Sequence, residues 1–207
     1  MDLFEKKKVS PMLIAENQEP FDSNDYLYEL KLDGFRCVAY LDANSTDLRS
    51  RQNTSLISAF PELAGINRSV SERCILDGEL VILENGKPNI NLVQRRVLMT
   101  GYIKIASAAH TNPACYVAFD ILYFGDKDLL YTPLVVRKQI LATAITETQN
   151  LVISRTIDTY GTALFSQVKA QGLEGVVAKR KDSSYYMGKR TKDWVKFKYQ
   201  EYGLRTP

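Results

Sequence analysis

A chain of 207 residues with 45% hydrophobic content can bury one sizeable core and is read as a single main domain, 1–207. Three cysteines without a CxxC pair and one histidine, His110, exclude a disulfide framework, a thiolate zinc cluster and a two-histidine metal site. The net charge of +3 is too small to demand a nucleic-acid partner, no apolar run approaches the ~18 residues of a membrane helix, and residues 1–8 lack a signal peptide's apolar core, so cytoplasmic residence is expected.

Alternating apolar residues predict strands over 26–31 and 35–41, and Asp33-Gly34 between them reads as a type I′ hairpin turn. Helical periodicity follows over 54–63, then a strand over 73–83 ending at an Asn85-Gly86 turn, then a helix over 90–99. The Ser/Thr/Asn-rich stretch 107–113, with His110, reads as a long surface loop. A strand over 115–123 closes at Gly125-Asp126, and Pro133 suits the first turn of a helix over 133–146. Strands at 151–155, 174–179 and 193–199 and a helix at 162–171 complete an α+β pattern without repeats. In the last strand Trp194, Lys196 and Lys198 share one face and Val195, Phe197 and Tyr199 the other, which makes one face cationic and one face core.

The most chemically pointed stretch is Glu29-Leu30-Lys31-Leu32-Asp33-Gly34-Phe35-Arg36. A lysine amine, ordinarily near 10.4, becomes a nucleophile at neutral pH only with cationic neighbours or desolvation. Two lysines at ~4 Å and an effective dielectric of 20 would each oppose the charged amine by about 4 kcal/mol. Bringing Lys31 to between 7 and 8 takes about 3.5–4 kcal/mol, so Lys196 or Lys198 alone would suffice. From Lys179 to Lys198 eight basic residues stand against Asp182 and Asp193, with Tyr185, Tyr186 and Trp194 interleaved, a composition suited to phosphate contact and stacking. A solvated charged face is the plain alternative for Arg180, Lys181 and Lys192.

Six segments stand in one order: the Lys31 run, Ser50-Arg51-Gln52-Asn53, Leu76-Asp77-Gly78-Glu79-Leu80, Ala118-Phe119-Asp120-Ile121-Leu122, Glu174-Gly175-Val176-Val177-Ala178-Lys179 and Trp194-Val195-Lys196-Phe197-Lys198. Together they resemble the adenylation domain of an ATP-dependent DNA ligase. The spacing of Tyr185, Gly188, Lys189, Arg190 and Trp194 is most similar to bacterial and archaeal ligases, including the ligase domain of end-joining ligase D. The resemblance covers about 11–198 and implies an antiparallel-sheet, ATP-grasp-like nucleotidyltransferase fold. It also implies use of ATP and Mg2+, nicked duplex DNA as partner, and a C-terminal oligonucleotide-binding-fold domain that this chain does not include. A monomeric core that adenylates itself slowly and seals feebly alone is expected.

The resemblance assigns Lys31 as the lysine that carries AMP, with Arg36, Lys196 and Lys198 as further catalytic cations. Asp33 would assist sealing near the 3′-hydroxyl and a metal, and Glu174 is the first choice for Mg2+. Glu79 would accept from a ribose hydroxyl, Arg51 would meet the nick's 5′-phosphate, and Leu30 and Arg190 complete the nucleotide contacts. Phe119 and Val177 would wall the adenine, although from apolarity alone core packing is the more ordinary reading of both. Glu29, two residues before Lys31 and on its face, would accept from the exocyclic amine. Asp77-Gly78 is also readable as a strand turn. An RNA ligase or a GTP-using capping enzyme on the same scaffold, and a non-catalytic nucleic-acid-binding module, are the alternatives.

Overall fold

The computed structural model describes residues 2–199. A one-turn helix, α1 (Leu3–Lys6), is capped by Asp2, whose side chain accepts from the Glu5 backbone amide. The extended segment after it docks on the end of the chain, with Leu13 N donating to Lys189 O, Ala15 N to Trp194 O and Gln18 N to Lys196 O at 2.7–2.9 Å. The elements that follow are β1 (Ser23–Lys31), β2 (Phe35–Leu41), β3 (Thr46–Ser50), β4 (Cys74–Glu84), β5 (Lys87–Pro88), α2 (Ile90–Val97), α3 (Tyr102–Thr111) and β6 (Ala114–Phe124). Then come β7 (Lys127–Asp128), α4 (Leu134–Ala144), β8 (Leu151–Ile153), β9 (Thr156–Thr159), α5 (Gly161–Ala170), β10 (Gly175–Arg180) and β11 (Trp194–Lys198).

Two sheets result. The smaller runs β11-β10-β1-β9 and the larger β3-β2-β4-β6-β7, with β5 and β8 added at β4 and β6. Every pairing is antiparallel except β6 with β8. One core, which includes Leu41, Leu76, Tyr116 and Leu141, lies on the outer face of the large sheet. A second, with Tyr28, Val176, Val195 and Phe197, lies between the small sheet and Phe165 and Val168 of α5. A third, with Val38, Phe119, Tyr185 and Trp194, joins the sheets to each other.

The hairpin expected at Asp33-Gly34 does not form. β1 and β2 belong to different sheets, so the three residues after Lys31 are a crossover rather than a turn. Gly34 is needed there for closeness: a Cβ would stand 2.7 Å from Glu79 Cγ and closer still to the Leu80 carbonyl. Asp77-Gly78 is the middle of β4 rather than a turn. The helix expected over 54–63 is replaced by a tight reversal in which Leu56 N bonds to Leu48 O, followed by a short 3-10 turn at Pro61–Leu63. Leu56, Phe60 and Leu63 are buried, and Pro61 would break a helix interior.

The loop expected over 107–113 is largely helical, because α3 carries three alanines, good helix formers, and extends to Thr111 with His110 in its last turn. The strand expected over 151–155 divides at Ser154, with β8 pairing on the large sheet and β9 on the small one. Of the three cysteines, Cys37 and Cys74 are buried thiols and Cys115 is partly exposed. Tyr185 and Trp194 are buried in the joint between the sheets and cannot stack on an outside ligand, while Tyr186 is exposed. No helix of the described residues is long and apolar enough to cross a membrane.

Candidate active site

The cleft between the sheets is built by register. On β1, Glu29 and Lys31 lie two apart and face the same way. Glu29 pairs with Val177 and Val177 with Lys196; Lys31 pairs with Gly175 and Gly175 with Lys198; Leu27 pairs with Lys179 and Lys179 with Trp194. These three rows face the large sheet, which presents Arg36 from β2, Glu79 from β4 and Phe119 from β6. The space between has a volume of about 160 Å³ and is bordered by Glu29, Lys31, Arg36, Glu79, Phe119 and Val177 among others. Six residues scattered over 148 positions (29 to 177) in sequence thus meet in one cavity.

Lys31 and Leu32 also border a second, larger cleft of about 590 Å³, flanked by Asp33, Glu174 and the Asn85-Gly86 turn. Lys31 therefore stands on the border shared by the two clefts. Its Nζ lies 2.7 Å from Glu174 Oε1, and Lys198 Nζ lies 3.5 Å from the same oxygen. Of the two lysines expected to crowd Lys31, Lys198 reaches it through the shared Glu174 carboxylate. The other oxygen, Glu174 Oε2, is buried and has no hydrogen-bond partner among the described residues. An orphaned hard oxygen of that kind fits a magnesium ion, which takes one or two carboxylates and fills its shell with phosphate oxygens and water. Among the described residues no group of three or more His, Cys, Asp or Glu could cage a metal.

Arg36 is largely spoken for. Nε and Nη2 donate to the two oxygens of Asp77 at 2.6 Å each, Nη2 also to Met12 O at 3.2 Å, and its guanidinium lies 4.5 Å from the Phe119 ring centre. Burial opposes its charge, yet Asp77 more than compensates and pushes the guanidinium pKa up. Tyr185 donates its hydroxyl to the same carboxylate at 2.5 Å. Glu79, beside Arg36 in register, is driven up to about 8 by burial against the opposing pull of Arg36 and Lys31.

Glu29 is 2% exposed and borders the cavity. Burial works against its charge, but Lys138 at 2.5 Å and Lys179 at 3.2 Å outweigh it, and its carboxyl is held below the usual range. The Lys179 ammonium is itself pushed down to about 8, by burial first, and it lies 4.3 Å from the Phe119 and 4.4 Å from the Trp194 ring centres. The sequence reading named neither Lys138 nor Lys179 among the site residues. Alternation along β10 could have found Lys179, two residues past Val177 and on its face. Lys138 has no local signal, because only the packing of α4 brings it to Glu29.

The remaining expected residues lie at the margin. Leu30 borders both clefts from the opposite face of β1 and is 40% exposed. Arg51 is exposed in the turn after β3. Arg190 is exposed and donates to the Ile14 carbonyl, so it fixes a segment that borders the cavity. Lys196 is half-buried on the cleft face, and Asp33 borders the second cleft.

The structure has the fold of a covalent nucleotidyltransferase domain: it superposes on the ligase domain of Mycobacterium tuberculosis LigD with a TM-score of 0.77 over 96% of this chain and 61% of that one, at 27% identity. A mycobacterial DNA ligase D complexed with ATP and MES gives a TM-score of 0.76 at 26% identity, covering 96% of this chain and 62% of that one. Residues 9–198 match the model of the ATP dependent DNA ligase domain, and the chain belongs to that family. It is 34% identical to DNA ligase C1 of Mycolicibacterium smegmatis over 96% of this chain and 59% of the relative, and 31% identical to the SPbeta prophage-derived DNA ligase-like protein LigB of Bacillus subtilis over 91% and 66%. The chain therefore spans about three-fifths of the length of these relatives.

Proposed function

We propose that this chain is the catalytic core of an ATP-dependent DNA ligase and that Lys31 carries the adenylate. The observation that carries the reading is the place of Lys31 on the border shared by two clefts, one of them lined by Phe119 and Val177. In the first step Lys31 Nζ, released from Glu174 and having given up a proton to solvent, attacks the α-phosphorus of ATP. The N–P bond forms as the bond to the leaving pyrophosphate breaks. In the second, a 5′-phosphate oxygen at a DNA nick takes the AMP and frees the lysine. In the third, the 3′-hydroxyl attacks that activated phosphate, loses its proton and expels AMP.

Charge grows on the non-bridging phosphate oxygens in each step, and Lys196 and Lys198 stand on the cleft face to meet it. Arg36, held by Asp77, braces Phe119 and offers its remaining edge to the nucleotide. Glu79 suits a ribose hydroxyl, and Glu29 the adenine amine. Magnesium would be held by the free oxygen of Glu174, with Asp33 at the second cleft, and would neutralise triphosphate charge when bound. Arg51 and Arg190, exposed, suit the DNA backbone. An oligonucleotide-binding-fold domain is proposed as the partner that orients pyrophosphate and clamps DNA.

Intact mass after incubation with ATP and magnesium tests the reading. One added AMP, mapped to Lys31 and lost in Lys31→Ala, is expected; AMP on another lysine, or none, would sink it.

A further inference from the structure

Glu29 is served by three different elements: Lys179 from β10, Lys138 from α4 and Ser154 from the link between β8 and β9. Lys179 also lies against Phe119 and Trp194. Lys138 has no such second occupation. Its side chain is 10% exposed, its Nζ has no aligned hydrogen-bond acceptor among the described residues, and its close charge contact is Glu29 Oε1 at 2.5 Å. Oε1 is likewise buried and also lies 3.2 Å from Lys179 Nζ. A buried ammonium held at 2.5 Å against one carboxylate oxygen keeps that carboxylate charged. The neighbouring residue, Arg137, grips Asp120 of the large sheet with two bonds of 2.8 Å. One turn of α4 therefore reaches both sheets, and Lys138 is the part that crosses to the small one.

We propose that Lys138 is a positioning residue for nucleotide selection: it keeps the Glu29 carboxylate charged at the border of the cavity, so that Glu29 accepts from the amino group at position 6 of a purine. A purine with a keto oxygen there would set oxygen against oxygen and leave a buried carboxylate unpaired, which a site built to accept a hydrogen bond rejects strongly. This rests on the reading that Glu29 faces the base. A plain structural tie between the sheets is the competing role for Lys138, and it would not depend on the substituent at position 6.

The test uses the 207-residue chain and three α,β-methylene triphosphates, of adenosine, inosine and unsubstituted purine riboside, with affinity read by calorimetry and lysine adenylation read with the normal triphosphates. Wild type should prefer the adenosine form over the unsubstituted one by at least about tenfold. Lys138→Met should shrink that ratio to within about threefold, with affinity for the unsubstituted form kept, and Lys138→Arg should restore it. Lys138→Gln, which leaves a polar head in the buried position, repeats the test if the methionine variant does not fold. A wild-type ratio in either neutral variant overturns the positioning role while a parallel loss in Glu29→Gln leaves the reading of Glu29 standing. A wild-type ratio in Glu29→Gln overturns that reading instead. Unfolding of both neutral variants would make Lys138 a structural tie and reject the proposal.

Discussion

Replacing Asp77 by Asn tests whether the wall of the cavity between the sheets is held by one buried carboxylate. Asp77 is fully buried, accepts two bonds from Arg36 at 2.6 Å and one from the Tyr185 hydroxyl at 2.5 Å. Asn offers a single acceptor oxygen and turns an NH2 toward a guanidinium, so Arg36 is left as an uncompensated cation against the Phe119 ring. Breaking a buried pair by removing one partner costs about 3–5 kcal/mol. Arg36 retains 20% side-chain exposure, which places this case near the lower end, at about 3 kcal/mol. For a domain of this size that is roughly 6–12 °C in melting temperature. Urea unfolding of wild type, Asp77→Asn, Arg36→Met and the double variant should give a coupling energy of about 2 kcal/mol, because the second change removes the stranded cation. A loss below about 1 kcal/mol for Asp77→Asn, or additive single changes, would refute the reasoning.

Gly34→Ala should cost about 1–3 kcal/mol and slow lysine adenylation, since its methyl would press on Glu79 and the Leu80 backbone next to Lys31; unchanged melting and adenylation would show that the crossover yields freely. Because the folded pKa of Glu79 is raised, the wild type carries no penalty from this group below its unfolded value near 4.5 and loses stability as pH climbs toward about 8. Glu79→Gln removes that loss, so its stability relative to wild type should improve from pH 5 to pH 8.5 by up to about 5 kcal/mol; a flat difference in urea titrations across that window would contradict the burial argument. Arg51→Ala and Arg190→Ala should each weaken binding to nicked duplex DNA and lower the slope of log affinity against log salt by about 1. Fluorescence anisotropy at several salt concentrations would detect this, and an unchanged slope would place the residue away from phosphate.

Much of the molecule follows from local pattern. Residues two apart in a strand share a face whatever lies around them, which is why Trp194, Lys196 and Lys198 were separable from Val195 and Phe197 before any fold was known, and why Glu29 could be set beside Lys31. The order of the six motifs carries the family in the same way, and the family match spans residues 9–198, which hold all six. Other features depend on which element lies opposite. Asp33-Gly34 has the composition of a hairpin turn, and only the presence of β4 against Gly34 makes it a crossover between sheets. Asp77-Gly78 looked like a turn because an aspartate is costly inside a strand; Arg36 and Tyr185, 41 residues upstream and 108 downstream, remove that cost. Lys138 could not be placed from its neighbours at all, since its role depends on Glu29, brought beside it by α4 packing across the cleft. Periodicity encodes the face a side chain takes, whereas the partner on that face is decided only when distant segments pack together.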